Sequence, residues 1–264
     1  MDAQAMRRAA ELLAESRLAR RPLVGLPADL TPANEAEAYA VQQWVHSHLS
    51  ARGLGPVTGH KIGCTTAVMQ AFLNIPNPCA GGVFDRTVHR SPATIRHADF
   101  VRVGVECEIV ARLGRNLPPS NVAYTRSSVV PAVCSVMAGM EIVDARYVDY
   151  SKLDTPTLIA DDFFDAGCVL GVERQDIARI DLAALVGVTW INGTEAGRGR
   201  GADVMGHPFE ALAWLANLRS RQGSGLHAGE FVFLGSVVET KWVSAGDVVT
   251  MEIDQLGRIE ATFA

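Results

Sequence analysis

Three glutamates and one lysine in this 264-residue chain have the types and settings needed for chemistry on a small anionic molecule. Two of the acids, Glu106 and Glu108, sit inside the stretch Arg102–Gly114, RVGVECEIVARLG. With the period of two that a strand imposes, Val103, Val105, Cys107, Ile109 and Ala111 line one apolar face, and both carboxylates leave from the other. Acids this close repel each other unless water solvates both or positive charge lies between them. A solvated strand face meets that requirement, and so does a hard divalent cation, Mg²⁺ or Mn²⁺, held by oxygen ligands. A third acid in an apolar setting would favour the cation. Glu141, flanked by Met140, Ile142 and Val143, supplies it. A buried carboxylate needs a partner or gives up its charge. That partner is either Arg146, in a buried ion pair, or a metal shared with Glu106 and Glu108, around which water or a chelating substrate completes the shell.

Lys61 is the second candidate, in Gly59-His60-Lys61-Ile62-Gly63, a short strand bracketed by glycines. An ammonium there either snorkels from the strand end or binds a substrate carboxylate, steadies an enolate or moves a proton. His207, in Gly206-His207-Pro208, stands just before a helix and is expected to cap or orient it. Gly197-Arg198-Gly199-Arg200-Gly201 fails the G-x-G-x-x-G spacing at both possible starts, where Ala202 and Val204 take the last position. It is expected to be a flexible loop near a pocket, not a nucleotide site. Gly235 and Ser236 follow an apolar strand and either end it or offer a backbone N–H and a hydroxyl to an anion.

The elements that must position these groups read as follows. A first helix spans about Ala3–Arg20, and a second starts at Thr31-Pro32 and ends at Gly53 and Gly55. The Gly59–Gly63 strand, a helix at Ala67–Leu73 and the proline- and glycine-rich turn Ile75–Gly82 come next, with short strands to Phe100. After the Glu106/Glu108 strand, a helix is expected from Ser128 toward Met140, then a strand over Glu141–Tyr147. An interrupted strand follows at Leu158–Leu170, with further strands at Val186–Asn192, Phe231–Val238, Asp247–Ile253 and Arg258–Phe263. One more helix runs from Pro208 to Arg219. This predicts an α+β fold, with an N-terminal helical lobe over residues 1–57 and a strand-rich catalytic core over 58–264.

The net charge of −5 leaves no basic field, so nucleic acid and anionic membrane surfaces are not expected partners. The five cysteines are odd in number, widely spaced and without metal-like spacing, which suits reduced thiols in a cytoplasmic protein. The N-terminal stretch carries Asp2, Glu11 and Glu15 and lacks the apolar run of a targeting segment, and reads as an amphipathic helix. No apolar run approaches membrane-spanning length.

Taken in order, Gly59-His60-Lys61-Ile62-Gly63, Val105-Glu106-Cys107-Glu108-Ile109, Glu141-Ile142-Val143, Ile159-Ala160-Asp161, Gly206-His207-Pro208 and Leu234-Gly235-Ser236 make the chain similar to a known group. It resembles the 2-keto-4-pentenoate hydratase and 4-oxalocrotonate decarboxylase branch of the fumarylacetoacetate hydrolase superfamily, over nearly its whole length. The resemblance implies a mixed β-roll or sandwich core flanked by helices, a bound Mg²⁺ or Mn²⁺, a homo-oligomer, and action on small 2-oxo or 2-hydroxydienoic acids from aromatic-compound breakdown. It assigns Glu106, Glu108 and Glu141 as metal ligands, Lys61 to the substrate site and Asp161 to the acid of an Ala-Asp-Asn segment. The chain departs from the branch at three places. Cys79 stands where an aspartate is usual, Asp162 replaces the asparagine, and Phe163-Phe164 replace a small, serine-containing pair; these rings could shape an apolar pocket for a bulkier tail.

The expected function is hydration of a 2-hydroxy-2,4-dienoate to a 4-hydroxy-2-oxo acid, with Lys61 on the carboxylate or moving a proton and Asp161 or Asp162 as base. Cys79, Phe164, Gly235 and Ser236 are expected to touch the substrate. The alternatives are decarboxylation of a 4-oxalocrotonate-type diacid at the same site, and a non-catalytic subunit that binds 2-oxo acids through the metal, with a pathway enzyme as partner.

Overall fold

The computed structural model describes residues 1–73 and 75–264, the side chains at 67, 72 and 73 excepted. It opens with helices α1 (Ala3–Ala19) and α2 (Glu35–Leu49), followed by β1 (Val57–Gly63) and the short helix α3 (Ala67–Leu73). Strands β2 (Cys79–Phe84), β3 (Val88–Arg90), β4 (Ala93–Ile95) and β5 (Val103–Leu113) come next. Then follow α4 (Arg126–Val129), β6 (Val133–Asp144), α5 (Thr155–Ala160) and β7 (Asp165–Leu170). The hairpin β8 (Val186–Ile191) and β9 (Thr194–Arg200), helix α6 (Pro208–Arg221), and β10 (Phe231–Trp242), β11 (Val248–Ile253) and β12 (Gly257–Phe263) complete the chain.

The strands form two sheets, of order β2-β1-β10-β5-β6-β7-β3 and β4-β12-β11-β8-β9. The alternation in β5 explains how they meet. Val103, Val105, Cys107, Ile109 and Ala111 share one apolar core with Val249, Met251, Ile253, Ile259 and Ala261 of the second sheet. Burial of each Val or Ile contributes about 1.5–3 kcal/mol, so a register slip that turned this face to solvent would be costly. The register is therefore fixed, and it leaves Glu106 and Glu108 on the face away from the second sheet. This is the α+β sandwich expected, with α1 and α2 tied to it through Val41, Val45, Leu49, Leu13, Phe84 and Ala160.

Four expectations about local structure change. Val133–Met140 is strand, not helix: Val136, Ala138, Met140 and Ile142 lie in one core cluster and Met137 in another. A strand buried on both faces has no polar alternation, and its apolar spacing mimics a helix. Leu158–Ala160 is helical, because the Asp154 side chain accepts the Thr157 N–H at 2.8 Å and caps α5. Helix α2 starts at Glu35, not at Thr31-Pro32, since Asn34 accepts the Glu37 N–H at 3.0 Å. Finally, Gly197–Arg200 belongs to β9, paired with β8, not to a flexible loop. Its glycine content answers a close approach: a Cβ on Gly199 would lie 1.7 Å from the Val237 carbonyl oxygen. His207 caps α6 as expected, its Nδ1 accepting the Phe209 N–H at 3.0 Å.

A candidate metal and substrate site

Adjacent antiparallel strands bring the three acids together. Glu106 and Glu141 are direct cross-strand partners on β5 and β6, and Glu108 lies opposite Gly139, two residues along the same face. One carboxylate oxygen from each acid falls within 4.8 Å of the others. Octahedral ligands at about 2.1 Å stand about 3–4 Å apart, so small side-chain movements suffice to grip Mg²⁺ or Mn²⁺. Lys61, on β1, reaches the same point: its Nζ lies 3.0 Å from Glu141 Oε1. Between β1 and β5 runs β10, whose ladder to β5 shifts register between Phe233 and Ser236. That irregularity turns the Gly235 N–H onto Glu108 Oε2 at 2.8 Å. The Thr240 hydroxyl donates to Glu106.

Glu108 and Glu141 are fully buried and Lys61 is 2% exposed. Burial, then Glu141 and Glu106, push the Glu108 carboxyl well above the ordinary carboxylate range. Burial pushes Glu141 up as well, to about 8, against the pull of Lys61. Burial opposes the charge on Lys61, yet Glu141, Glu106 and Glu108 hold its ammonium above the usual lysine range. The three shifts together describe acids in excess, three carboxyls facing one ammonium. Glu108 Oε1 and Glu141 Oε2 have no hydrogen-bond partner among the described residues, an omission that costs about 1–3 kcal/mol per group. Hard oxygen donors, orphaned and over-negative, fit a divalent Mg²⁺ or Mn²⁺.

A cavity of about 150 Å³ opens on this cluster. Lys61, Glu106, Ser236, Thr240, Thr65 and Cys64 contribute to its polar side, and Val143, Met69, Tyr150, Phe163, Phe164 and Trp242 to its apolar wall. Of the residues expected at the substrate, Lys61, Phe164 and Ser236 therefore line it. Gly235 spends its N–H on Glu108, and the Ser236 hydroxyl donates to the Val238 carbonyl. Cys79 is fully buried, paired in register with Gly63, and does not line the cavity.

Asp161 and Asp162 do not line it either, a correction to the expectation of a base there. Asp161 Oδ2 binds Arg146 Nε at 3.0 Å and the Tyr147 hydroxyl at 3.2 Å. Arg146 is thus the partner of Asp161, and Glu141 pairs with Lys61 instead. Asp162 accepts from Arg17 at 3.2 Å, His46 Nε2 at 2.5 Å and the Gly82 N–H at 2.9 Å. Burial alone would raise its pKa, but His46, Arg17 and Gly82 hold it down, at about 2. The reason for this investment lies in the backbone. Asp162, Phe163 and Phe164 have φ of 56°, 49° and 69°, three successive left-handed residues, each costing about 1–3 kcal/mol. Arg146 also donates to the Asp165 carbonyl at 2.8 Å, and Gly81 admits the Asp162 carbonyl where a Cβ would meet it at 2.6 Å. The acids hold the turn, and the turn delivers two phenylalanines to the cavity.

Comparison with known proteins places the chain in a family. A model of the fumarylacetoacetate (FAA) hydrolase C-terminal family matches residues 76–264. The chain belongs to the fumarylacetoacetate hydrolase family. Among its relatives, a 2-keto-4-pentenoate hydratase of Burkholderia vietnamiensis (strain G4 / LMG 22486) is 32% identical, covering 89% of this chain and 88% of the relative. A 2-hydroxyhexa-2,4-dienoate hydratase of Comamonas testosteroni is 34% identical over 78% of each. A solved structure, 4-oxalocrotonate decarboxylase from Pseudomonas putida G7 complexed with magnesium and adipate, superposes with a TM-score of 0.94. It is 25% identical and covers 100% of this chain and 99% of its own. The cavity of this family member also contains residues not singled out from sequence: Cys64, Thr65, Thr240, Trp242 and Tyr150. Thr240 and Trp242 return to the face of Ser236 only after register shifts on either side of Val238, which itself packs in the core between the sheets, so a strict period of two along β10 does not mark them.

Proposed function

We infer that the protein is a metal-dependent hydro-lyase that adds water to a 2-hydroxy-2,4-dienoate of the 2-keto-4-pentenoate type, giving a 4-hydroxy-2-oxo acid. The observation that carries this reading is the meeting of three acids, two with orphaned buried oxygens, beside Lys61 at one side of an otherwise apolar cavity. The identity to hydratases over most of both chains supports it. Glu106, Glu108 and Glu141 would hold Mg²⁺ or Mn²⁺, whose bound charge supplies Lewis-acid stabilisation for the negative charge that develops on a 2-oxo oxygen. Lys61 stays charged among its acidic neighbours, so it acts as a donor: it pairs with the substrate carboxylate and can deliver a proton toward the dienol. Protonation at the far carbon gives a conjugated 2-oxo-3-enoate, to which water adds at C4. Phe163, Phe164 and Val143 keep bulk water from the conjugated system. Asp161 and Asp162 act through the turn they hold.

The test follows 2-hydroxypenta-2,4-dienoate by its absorbance with Mg²⁺ present. Loss of absorbance with formation of 4-hydroxy-2-oxopentanoate is expected; loss without that product rules hydration out. The similarity to 4-oxalocrotonate decarboxylase supports a second reading, release of CO₂ from a 2-oxo diacid at the same site, which would then be seen with 4-oxalocrotonate. A Lys61→Met variant is expected to lose about 10²–10⁴-fold in kcat/KM while binding Mg²⁺ as tightly as the parent or more so, because a competing cation is gone. Calorimetry with Mg²⁺ separates that outcome from loss of the site. We further assign the chain to a cytoplasmic homo-oligomer working beside another enzyme of the same catabolic sequence, on the strength of the family resemblance. No helix among the described residues is long and apolar enough to cross a membrane.

A further inference from the structure

We propose that the cavity selects 2-oxo and 2-hydroxydienoic acids whose far end is uncharged and apolar, and that Phe163 and Phe164 make the selection. The proposal rests on the hydro-lyase reading for one thing, that the acid end of the ligand sits at Lys61 and the three glutamates. From that end outward the wall is a row of rings. Lys61 Nζ lies 5.3 Å from the Phe163 ring centre, Phe163 and Phe164 meet edge to face at 5.5 Å, and Phe164 meets Tyr150 edge to face at 5.4 Å. Among the described residues that line the cavity, Lys61 is the sole cation, and Glu141 already pairs with it. Arg102 stacks over the Trp242 ring at 4.1 Å without lining the cavity. The hydroxyls of Ser236 and Thr240 donate to the Val238 carbonyl and to Glu106.

A second carboxylate would therefore be desolvated against aromatic carbon with no charge to meet it, which is unfavourable. An alkyl end there is favoured by about fourfold in affinity for each buried methylene. The rings cannot swing aside cheaply, because the left-handed turn that carries them is fixed by Arg17, His46 and Arg146.

The experiment titrates the Mg²⁺-loaded protein with 2-oxohexanoate and with 2-oxoadipate, which differ only in a terminal methyl against a carboxylate, and reads Kd by calorimetry. The parent is expected to bind the monoacid at least about tenfold more tightly. Phe164→Arg should bring the two within about threefold or reverse them, and Phe164→Leu should keep the monoacid preference. Equal or tighter binding of 2-oxoadipate by the parent overturns the proposal, as does an unchanged preference in folded Phe164→Arg. Binding and turnover fail separately. A protein that prefers 2-oxohexanoate but hydrates no dienoate sinks the hydro-lyase reading alone, and one that hydrates pentadienoate while preferring the diacid sinks this proposal alone.

Discussion

The Glu108→Gln variant is expected to be more stable than the parent without metal and to lose the parent's stabilisation by Mg²⁺. Both signs come from one fact: Glu108 is fully buried beside Glu106 and Glu141 with one oxygen unpartnered. The amide is nearly isosteric, and its oxygen still accepts the Gly235 N–H, but it no longer repels the other acids. Metal-free stability should rise by about 1–3 kcal/mol. The parent gains about 2.7 kcal/mol when Mg²⁺ stands at a hundred times its Kd; the variant, with a charged ligand removed, should bind about 100-fold more weakly or worse. Turnover should fall about 10³-fold, the equivalent of about 4 kcal/mol of lost charge stabilisation. The same repulsion gives a pH dependence. Glu141 has its folded pKa raised from 4.5 to about 8, so its contribution to metal-free stability is fully present below pH 4.5 and is lost as pH rises through about 8. Thermal melts with and without Mg²⁺ across that range check all three signs. Equal Mg²⁺-induced shifts in parent and variant would remove Glu108 from the ligand set.

What the sequence made legible follows from periodicity and its failures. Alternation in Val103–Ala111 declared both the buried face and the paired acids, because one side of β5 is apolar and the other is not. Glu141 was visible as an acid in apolar company, although its cross-strand position opposite Glu106 needed the register of β6, and β6 was hidden by being buried on both faces. The partner of Glu141 was not legible: the sequence offered Arg146 or a shared metal, and that Lys61 stands beside it depends on which strands neighbour which. Asp161 and Asp162 stood out by type, but the burden they carry is backbone strain. Three successive left-handed non-glycine residues leave no signature in composition, and their counter-charges, Arg17 and His46, come from helices over a hundred residues away. The family resemblance reached the acids and the lysine, and fell silent at Phe163-Phe164, where this chain departs from it.

That strained turn yields the second large effect. Asp162→Asn should destabilise the protein by about 3 kcal/mol, because it removes the charge facing His46 and one of the two facing Arg17, which keeps only Asp165 at 3.2 Å, at a site where Asp162 has no exposed side-chain surface, and that is a large part of a typical total of about 5–15 kcal/mol. The sign with pH is opposite to that of the glutamates. The folded pKa of Asp162 is lowered from 3.8 to about 2, so its contribution, about 2 kcal/mol by linkage, is present above pH 3.8 and disappears as pH falls toward 2. In the variant this acid-side loss should be missing from the stability profile. Loss of the clamp also frees Phe163 and Phe164 from the left-handed turn, so Kd should rise for ligands with apolar ends and change little for pyruvate-sized 2-oxo acids that reach only Lys61 and the glutamates. Urea unfolding at several pH values measures the first consequence and a comparison of Kd for pyruvate and 2-oxohexanoate the second. If both ligands weaken in parallel, Asp162 supports the whole fold and has no particular hold on the aromatic wall.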